Sequence, residues 1–557
     1  MSGLPGLAWQ QVEICPSTPS PGLNCDNRDG SCQPIISQCV GQQPGFAFCD
    51  YASVTPTPTY KDVRKTCGPD LVSITSSPCS GVCDPNLGCQ NPRCGDGKVE
   101  GTEECDDANT MALDGCEPVS APSGAACAKS KILSVSAGAQ HTCALFKGGY
   151  ARCWGNNDSN QLGLGHAQPE GNYKPYQLTI FDSGGNPQPA GPIDFGALAV
   201  NSIAAGNDFT CAVASDHNVY CWGLNTSGQL GNGTTTTPVA TPKALGPVAL
   251  GGPAQAVTVG SNFACALLVD GTVRCWGANQ GGRLGTGNTT VLNTSTPAAI
   301  AAANPGWVSL GKIATAISSG GNSTCALLSD GNVRCWGDNS SGQLGIDSST
   351  QVSKTQVPSA YSILLLPSSK TATSIAVGSA FACVRLTDGT AECWGNNSGG
   401  QLGVGTTNIV GAFDSPAVAG IVQTPPNGVD SIITSQGSST CAFYANGAGL
   451  HCWGDNSSGQ LGYPDLTPNR GGTPQSIPAN TSSVPLVDFG GGLTPVSISM
   501  GAAHTCAVLS DGELRCWGWN NKGQLGFGFS SSLPTDFVGG DSGHSPNNAA
   551  MTVQLFP

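Results

Sequence analysis

Short apolar stretches separated by glycine-rich turns recur along residues 131–557 and alternate with polar positions at the two-residue period of β-strands. One clear copy runs from Cys325 to Gly345 and reads CALLSDGNVRCWGDNSSGQLG. Each copy predicts a strand through the first Cys, a tight turn, a second strand ending in Cys-Trp, a glycine-rich turn and a further strand near a Pro. Since no long amphipathic helix is visible, the pattern predicts an all-β fold.

The pattern occurs seven times, and successive copies are 54 to 68 residues apart. The Cys-Trp pairs that mark the copies are Cys153-Trp154, Cys221-Trp222, Cys275-Trp276, Cys335-Trp336, Cys393-Trp394, Cys452-Trp453 and Cys516-Trp517. This spacing is long enough for one four-stranded sheet per copy. Because such a unit buries its apolar faces only against neighbours, we predict a seven-bladed β-propeller over residues 131–557.

The two cysteines of each copy are ten positions apart in six copies and eleven in the other. A hairpin turn between them places the two residues opposite each other, within reach of a disulfide. Free buried thiols and a zinc site are the alternatives, but each hairpin offers zinc only two sulfurs. The predicted disulfides are Cys143–Cys153, Cys211–Cys221, Cys265–Cys275, Cys325–Cys335, Cys383–Cys393, Cys441–Cys452 and Cys506–Cys516. Together they indicate an oxidising compartment.

The two ends of the repeat region suggest how the ring closes. The first copy begins at Ile132 without the Pro-and-Val strand that precedes the others, such as 242–248, and the last is followed by a lone apolar stretch, 551–556. We therefore expect the C-terminal strand to complete the first blade, which would also remove an exposed edge.

These repeats resemble the regulator of chromosome condensation family, whose copies read like G-x-x-H-T-x-A-L, D-G and W-G-x-N-x-x-G-Q-L-G. The family includes a nuclear guanine-nucleotide exchange factor and secreted bacterial propellers, among them a β-lactamase inhibitory protein that binds an enzyme with one face of its ring. The resemblance implies a propeller. It carries over no exchange-factor residue, and the family's His before the first Cys appears here only as His141 and His504.

Residues 1–130 hold 13 of the 27 cysteines and too few apolar residues for a core of their own. We predict a disulfide-stapled region over 1–93 and an acidic cysteine-rich module over 94–130. The stretch from Cys94 to Cys116, CGDGKVEGTEECDDANTMALDGC, resembles a cysteine-rich repeat of secreted myxobacterial proteins. That resemblance implies a bacterial source and export.

The acidic module also offers oxygen ligands within 19 residues of one another. They are Asp96, Asp106, Asp107, Asn109 and Asp114. Calcium binds six to eight such oxygens, whereas the alternative is that these side chains cap turns. Calcium is therefore a candidate ligand, and no cofactor is required by the sequence.

Charge and motifs narrow the class of function. The formal charge is −14 and no basic stripe occurs, which argues against nucleic acid as a partner. No apolar run is long enough to span a membrane, and HExxH, GxSxG and Walker motifs are absent from the sequence, so we do not expect an enzyme. Aromatic residues in the longer connections are candidate contacts for a protein or glycan partner, or else they pack their own loops. The chosen candidates are Tyr173, Tyr176, Tyr361 and Trp519.

The sequence favours a secreted or cell-surface bacterial binding protein that uses the propeller as a rigid platform. The alternative is a structural subunit of an extracellular filament or surface layer that self-associates through the N-terminal module. The odd number of cysteines in residues 1–130 motivates this alternative, since one is left without a partner inside that module.

Overall fold

The computed structural model describes the chain between residues 131 and 553 outside a set of gaps, together with seven short strands before residue 130. The gaps are 167–178, 182–186, 190–191, 239, 290–306, 362–363, 365, 368–369, 425–427, 445–448, 464–468, 480–484 and 528–552.

The chain divides into two compact units, Met1–Ser130 and Lys131–Pro557. In the first unit the described strands form one three-stranded and two two-stranded antiparallel sheets, β1-β2-β3, β4-β5 and β6-β7. The strands are β1 (Ala47–Tyr51), β2 (Tyr60–Cys67), β3 (Ile74–Pro78), β4 (Val82–Asp84), β5 (Gly88–Gln90), β6 (Cys116–Pro118) and β7 (Cys127–Lys129). The further division of this unit at residue 94 stays a prediction.

The second unit contains seven three-stranded antiparallel sheets of the same strand order. Sheet one is β8 (Ile132–Ala137), β9 (His141–Phe146) and β10 (Ala151–Gly155); sheet two is β13 (Val200–Ala205), β14 (Phe209–Ala214) and β15 (Val219–Gly223); sheet three is β16 (Ala254–Val259), β17 (Phe263–Leu268) and β18 (Val273–Gly277); sheet four is β19 (Ala314–Gly320), β20 (Ser323–Leu328) and β21 (Val333–Gly337); sheet five is β22 (Ala372–Val377), β23 (Phe381–Leu386) and β24 (Ala391–Gly395); sheet six is β25 (Val429–Thr434), β26 (Ser439–Tyr444) and β27 (Gly449–Gly454); sheet seven is β28 (Pro495–Met500), β29 (His504–Leu509) and β30 (Leu514–Gly518).

The seven sheets form a closed ring. The first strand of each sheet contacts the first strand of the next, and β28 of sheet seven contacts β8 of sheet one. The predicted seven-bladed β-propeller is therefore confirmed.

Short elements lie in the connections between sheets. Strands β11 (Thr179–Phe181) and β12 (Pro187–Pro189) pair with each other between sheets one and two. The helices are α1 (Pro242–Leu245) and α2 (Pro416–Ala419), and two single 3₁₀ turns cover Val352–Lys354 and Pro358–Ala360.

The paired cysteines face each other in every sheet, and all seven predicted disulfides are present. The turn between the two strands sets this register. In sheet four, Asp330 accepts a hydrogen bond from the backbone N–H of Asn332 at 3.1 Å, and Gly331 adopts a φ of 77°. Because that positive φ suits glycine, the turn stays tight and Cys325 lies opposite Cys335.

An outer segment follows the third strand of each sheet and hydrogen-bonds to it. The backbone donor and acceptor pairs are Ile193–Ala151, Val248–Val219, Val308–Val273, Leu364–Val333, Val422–Ala391, Val487–Leu450 and Val553–Leu514, at 2.7 to 3.1 Å. The seven sheets therefore share the same four-part arrangement.

This arrangement corrects the expected closure. Val553, a described residue within the stretch that was expected to form the C-terminal strand, bonds to Leu514 of sheet seven, while sheet one has Ile193 in the same position. The sequence expectation was wrong because a circular repeat does not show where a unit begins. The Pro-and-Val segment ending at Val248 completes the preceding sheet and does not open the next one.

The tryptophan after the second cysteine joins neighbouring sheets. All seven are fully buried. In six of them the indole Nε1–H donates to the backbone carbonyl of the Gln in the preceding copy's turn, at 2.9 to 3.1 Å. The bond from Trp154 to Gln524 closes the ring between sheets one and seven. Trp336 is the exception, since its Nε1 has no hydrogen-bond partner among the described residues and Arg283 replaces the Gln.

Candidate functional site

The residues repeated in every copy have structural contacts. The Asn of each glycine-rich turn is buried, and its side-chain oxygen accepts a hydrogen bond from the backbone N–H of the Leu five residues later. These contacts hold the turn and leave little of the Asn for a ligand. We therefore sought a functional surface among features that differ between copies.

One end of the ring's centre is bridged. The turn after β25 is one residue longer than its equivalents, because Ser435 bonds to Ser439 where Gly138 bonds to His141. Its Gln436 donates through Nε2 to the carbonyl of Ala205 at 2.6 Å and, more weakly, to that of Ala137 at 3.4 Å. The side chain thus links sheet six to sheets two and one.

Two of the four predicted aromatic contacts lie among the described residues. Tyr361 is half-buried, and its hydroxyl donates to the carbonyl of Cys335 at 2.8 Å and lies 3.1 Å from the hydroxyl of Ser353. Burial raises the pKa of this phenol. Trp519 is also half-buried. Tyr173 and Tyr176 lie outside the described residues, and a binding role for all four stays a prediction.

The candidate calcium ligands Asp96, Asp106, Asp107, Asn109 and Asp114 also lie outside the described residues. Within the part of the chain that the structure describes, no cluster of His, Cys, Asp or Glu could hold a metal ion. Among those same residues no helix is long and apolar enough to cross a membrane.

The two most exposed large apolar side chains among the described residues lie in the outer part of sheet five. We call residues 409–421 the sheet-five segment. Phe413 is 85% exposed and Val418 is 79% exposed, and Ile409 and Ile421 are each 41% exposed. Isolated apolar residues on a surface are ordinary, whereas several on one short segment mark a candidate interaction site.

Backbone hydrogen bonds hold the sheet-five segment at both ends. Near its start, Val410 and Gly395 bond to each other in both directions, at 2.8 and 3.2 Å. Near its end, the N–H of Cys393 donates to Gly420 at 2.7 Å. The segment therefore has a defined backbone path while Phe413 and Val418 face solvent.

The sheet-five segment has acidic neighbours. Asp414 is exposed within it, and the exposed Asp347 precedes Ser348, whose N–H donates to the carbonyl of Gly411 at 3.2 Å. The apolar side chains are thus accompanied by two carboxylates.

Beneath the end of this segment lies a buried carboxylate. Glu392 in β24 is fully buried, and within the described part of the chain neither of its carboxylate oxygens has a hydrogen-bond partner. Burial raises the pKa of Glu392 to about 7, and the positive charge of Lys370 opposes this rise. A buried acid without donors is costly to ionise, so its protonation changes close to neutral pH.

Sequence reasoning missed both features. The sequence prediction considered the longer connections and not residues 409–421. The stretch IVGAFDSPAVAGI is nevertheless unusually apolar for a surface loop. Aligning the seven copies reveals Glu392 directly, because an Arg precedes the Cys-Trp pair in four of the other copies.

Comparison with known families agrees with the fold. The RCC1-like domain matches residues 177–550, and the regulator of chromosome condensation (RCC1) repeat matches residues 132–161. In the first unit, residues 80–118 match a domain of unknown function, DUF4215, of the cysteine-rich repeat type. Both resemblances expected from the sequence are thus confirmed.

Individual relatives are more distant. The ultraviolet-B receptor UVR8 of Arabidopsis thaliana is 28% identical over 410 residues, which cover 72% of this chain and 80% of the receptor. The human E3 ubiquitin-protein ligase HERC2 is 31% identical over 282 residues, 50% of this chain but only 5% of the ligase. The crystal structure of human WBSCR16 has a TM-score of 0.51 at 20% identity and covers 70% of this chain and 94% of that one, which supports the fold alone. With more than half of its residues matched by one family model, the chain belongs to the RCC1-like domain family.

Proposed function

We propose that this protein is a binding platform for another protein and that the sheet-five segment is the centre of the contact. The exposure of Phe413 and Val418 on a backbone fixed at both ends carries this proposal. Large apolar side chains on a preorganised backbone bind with little ordering cost, and aromatic residues dominate the energetics of many interfaces.

The chemistry of the segment also defines the partner. Asp347 and Asp414 accompany the apolar side chains, and the chain as a whole carries a charge of −14. A partner surface with an apolar centre and basic groups at its border would complement both features. A glycan would instead need stacking aromatics and convergent polar groups, whereas the segment offers one aromatic ring.

Site-specific photo-crosslinking tests the contact. A photoreactive amino acid replaces Phe413 in the full-length protein, and a matched variant carries it at Val269, which is 58% exposed in the turn between β17 and β18 of sheet three. We expect a discrete protein adduct from the source's extracellular fraction at position 413 only. The double variant Phe413→Ser and Val418→Ser should bind the same protein at least tenfold more weakly, as the loss of two apolar anchors predicts. Equal adducts at both positions, or unchanged binding of the double variant, would refute the proposed surface.

We further propose a secreted or cell-surface location in a bacterium. The seven disulfides support an oxidising compartment. The match of residues 80–118 to a cysteine-rich repeat type supports the predicted kind of N-terminal module. Alkylation of native material without reduction checks this, because labelled cysteines in the seven hairpins would contradict it.

The filament alternative predicts a different state of the native protein. Its motive is the odd number of cysteines, 13, in residues 1–130. Negative-stain images separate the two proposals, since single rings support the binding platform and polymers support a structural subunit that self-associates. Non-enzymatic function remains part of the binding proposal.

Calcium binding by the N-terminal module is a separate proposal. The oxygen-rich stretch supports it, and replacing Asp106 and Asp107 with Asn keeps side-chain size while it removes two charges. We expect the variant to bind calcium more weakly and chelation to increase proteolysis of residues 94–116 only. Equal protection with and without chelator would refute it.

A further inference from the structure

Seven equivalent positions precede the Cys-Trp pairs, and Glu392 is the one whose polar atoms make no contact among the described residues. The other six residues all make contacts. Three donate hydrogen bonds: Tyr220 to Asp216, Arg334 to the carbonyls of Pro358 and Tyr361, and Arg515 to the carbonyl of Phe489. Arg274 lies over the ring of Trp307, His451 packs on Tyr444, and Arg152 also has a contact. In sheets three and four the partner belongs to the outer segment of the same sheet, so the arginine helps to hold that segment in place.

In sheet five an acidic residue, Glu392, takes the place of the arginine. Its cross-strand partner is Ile421, the last residue of the sheet-five segment, and the equivalent pair in sheet three is Arg274 with Trp307. Residues directly opposite in an antiparallel pair project to the same face, so Ile421 adjoins the carboxyl group. An isoleucine offers no hydrogen-bond donor to a carboxylate.

The other neighbours of Glu392 do not neutralise it. On its inner side the strand partner is Val384, and neither α2 nor residues 420–422 contain a charged residue. Lys370 is the charged group that acts on it, but its ammonium pairs with Asp388 at 2.7 Å. On sheet four, Arg334 is engaged with two backbone carbonyls.

We propose that Glu392 is a proton-controlled latch for the sheet-five segment. The segment stays paired to β24 while the Glu392 carboxyl group is protonated, and it is released more readily when that group is ionised. Release breaks the bonds from Cys393 to Gly420 and from Val422 to Ala391 and admits water to the carboxylate. The latch would then control how the apolar side chains of the segment are presented.

The direction of the pH effect follows from linkage. The pKa of Glu392 is about 7 in the closed segment and returns towards its ordinary value of 4.5 when the segment opens. The closed state therefore binds more protons between these values, and its stability is fully present below 4.5 and lost as pH rises to 7. Opening should become about tenfold more frequent per pH unit across this window and level off above it.

Hydrogen exchange of the free full-length protein tests the latch without a partner. After correction for the intrinsic effect of pH, protection of the Cys393 and Val422 amides should fall by about tenfold per unit from pH 5 to 7. The amide of Val308 in sheet three, which bonds to Val273 in the same way, is the internal control and should not follow this dependence.

Two variants identify Glu392 as the cause. Glu392→Gln keeps the shape without the charge and should make protection of Val422 high and independent of pH. Ile421→Lys places an ammonium opposite the carboxylate and should also keep the segment closed at neutral pH. A flat profile in the wild type, or an unchanged slope in either variant, would overturn the latch. Its regulatory meaning rests on the proposed function, but failure of the crosslinking test would leave the exchange result intact.

Discussion

The inner hairpins and the outer segments of this ring are built on opposite principles. Each inner hairpin carries the same disulfide and the same buried tryptophan, so seven copies have nearly the same contacts. The outer segments share one backbone bond each, but differ in length and side chains, from Trp307 over Arg274 to Ile421 over Glu392. The contacts that hold the ring together are those that repeat, and the proposed binding surface lies among those that vary.

The sharpest test of this division compares one buried and one exposed aromatic residue of sheet five. Trp394→Ala should lower the free energy of unfolding by about 3–5 kcal/mol, because it leaves a large cavity between sheets four and five. Phe413→Ala should change it by less than about 0.5 kcal/mol. Denaturant unfolding with the disulfides intact measures the free energy of unfolding of both variants. A comparable loss of stability in the two would contradict the division between inner hairpins and outer segments.

The disulfides make the next-largest expected contribution to the stability of the ring. Replacing Cys325 and Cys335 together by Ala should cost about 2–3 kcal/mol, since the closed loop is short. Thermal unfolding measures the loss. Since the outer segment of sheet four does not depend on this crosslink, hydrogen exchange of the Leu364 amide, which bonds to Val333, should remain as in the wild type.

Acid should weaken the ring between sheets seven, one and two. His141 and His504 are buried, and burial lowers the pKa of each to about 3, with His504 adding to the effect on His141. The unfolded chain binds more protons between pH 6.5 and 3, so the stability from these groups is lost as pH falls through that range. At pH 5 the loss should be about 2 kcal/mol for each histidine.

Other copies supply the control for this acid effect. Phe209, Phe263 and Phe381 occupy the same position in other sheets. The free energy of unfolding of the variant His141→Phe should therefore decrease less steeply with falling pH than that of the wild type. This holds even though the variant loses the hydrogen bond to Thr210 at 2.8 Å. An unchanged acid profile would show that other groups control it.

Trimming the C-terminus tests the corrected closure. Deletion of residues 550–557 removes Val553, which is buried and bonded to Leu514. We expect a loss of about 1–2 kcal/mol from this apolar side chain and its hydrogen bond. Hydrogen exchange should rise in β30 of sheet seven, whereas a rise confined to sheet one would restore the original expectation.

Prediction from the sequence succeeded where every copy gives the same signal. Cys325 and Cys335 were paired correctly because the spacing recurs and the turn fixes the register. The position of Val248 was assigned to the wrong sheet, since periodicity carries no starting point. The exposure of Phe413 depends on how its segment packs against its neighbours, and the internal hydrogen bonds of Tyr361 depend on Ser353 and Cys335 meeting it in space.

The smallest expected effect concerns the junction between sheets three and four. In the other six copies a Gln occupies this position and accepts two hydrogen bonds. Its side-chain oxygen accepts from a backbone N–H, and its backbone carbonyl accepts from the tryptophan N–H. At this junction Arg283 replaces the Gln. In the described ranges no group accepts from Nε1 of Trp336, and the Thr324 hydroxyl lies within hydrogen-bond distance of the Ser319 hydroxyl.

Arg283→Gln should bring this turn to the form of the others and stabilise the protein by about 0.5–1.5 kcal/mol, the value of one hydrogen bond. Arg283→Met removes the charge without supplying the amide and is the matched control. If both variants gained equal stability in denaturant unfolding, the gain would come from removing a half-buried guanidinium, whose pKa is already lowered by desolvation. A gain for Gln alone would show that one shared turn unites all seven sheet junctions.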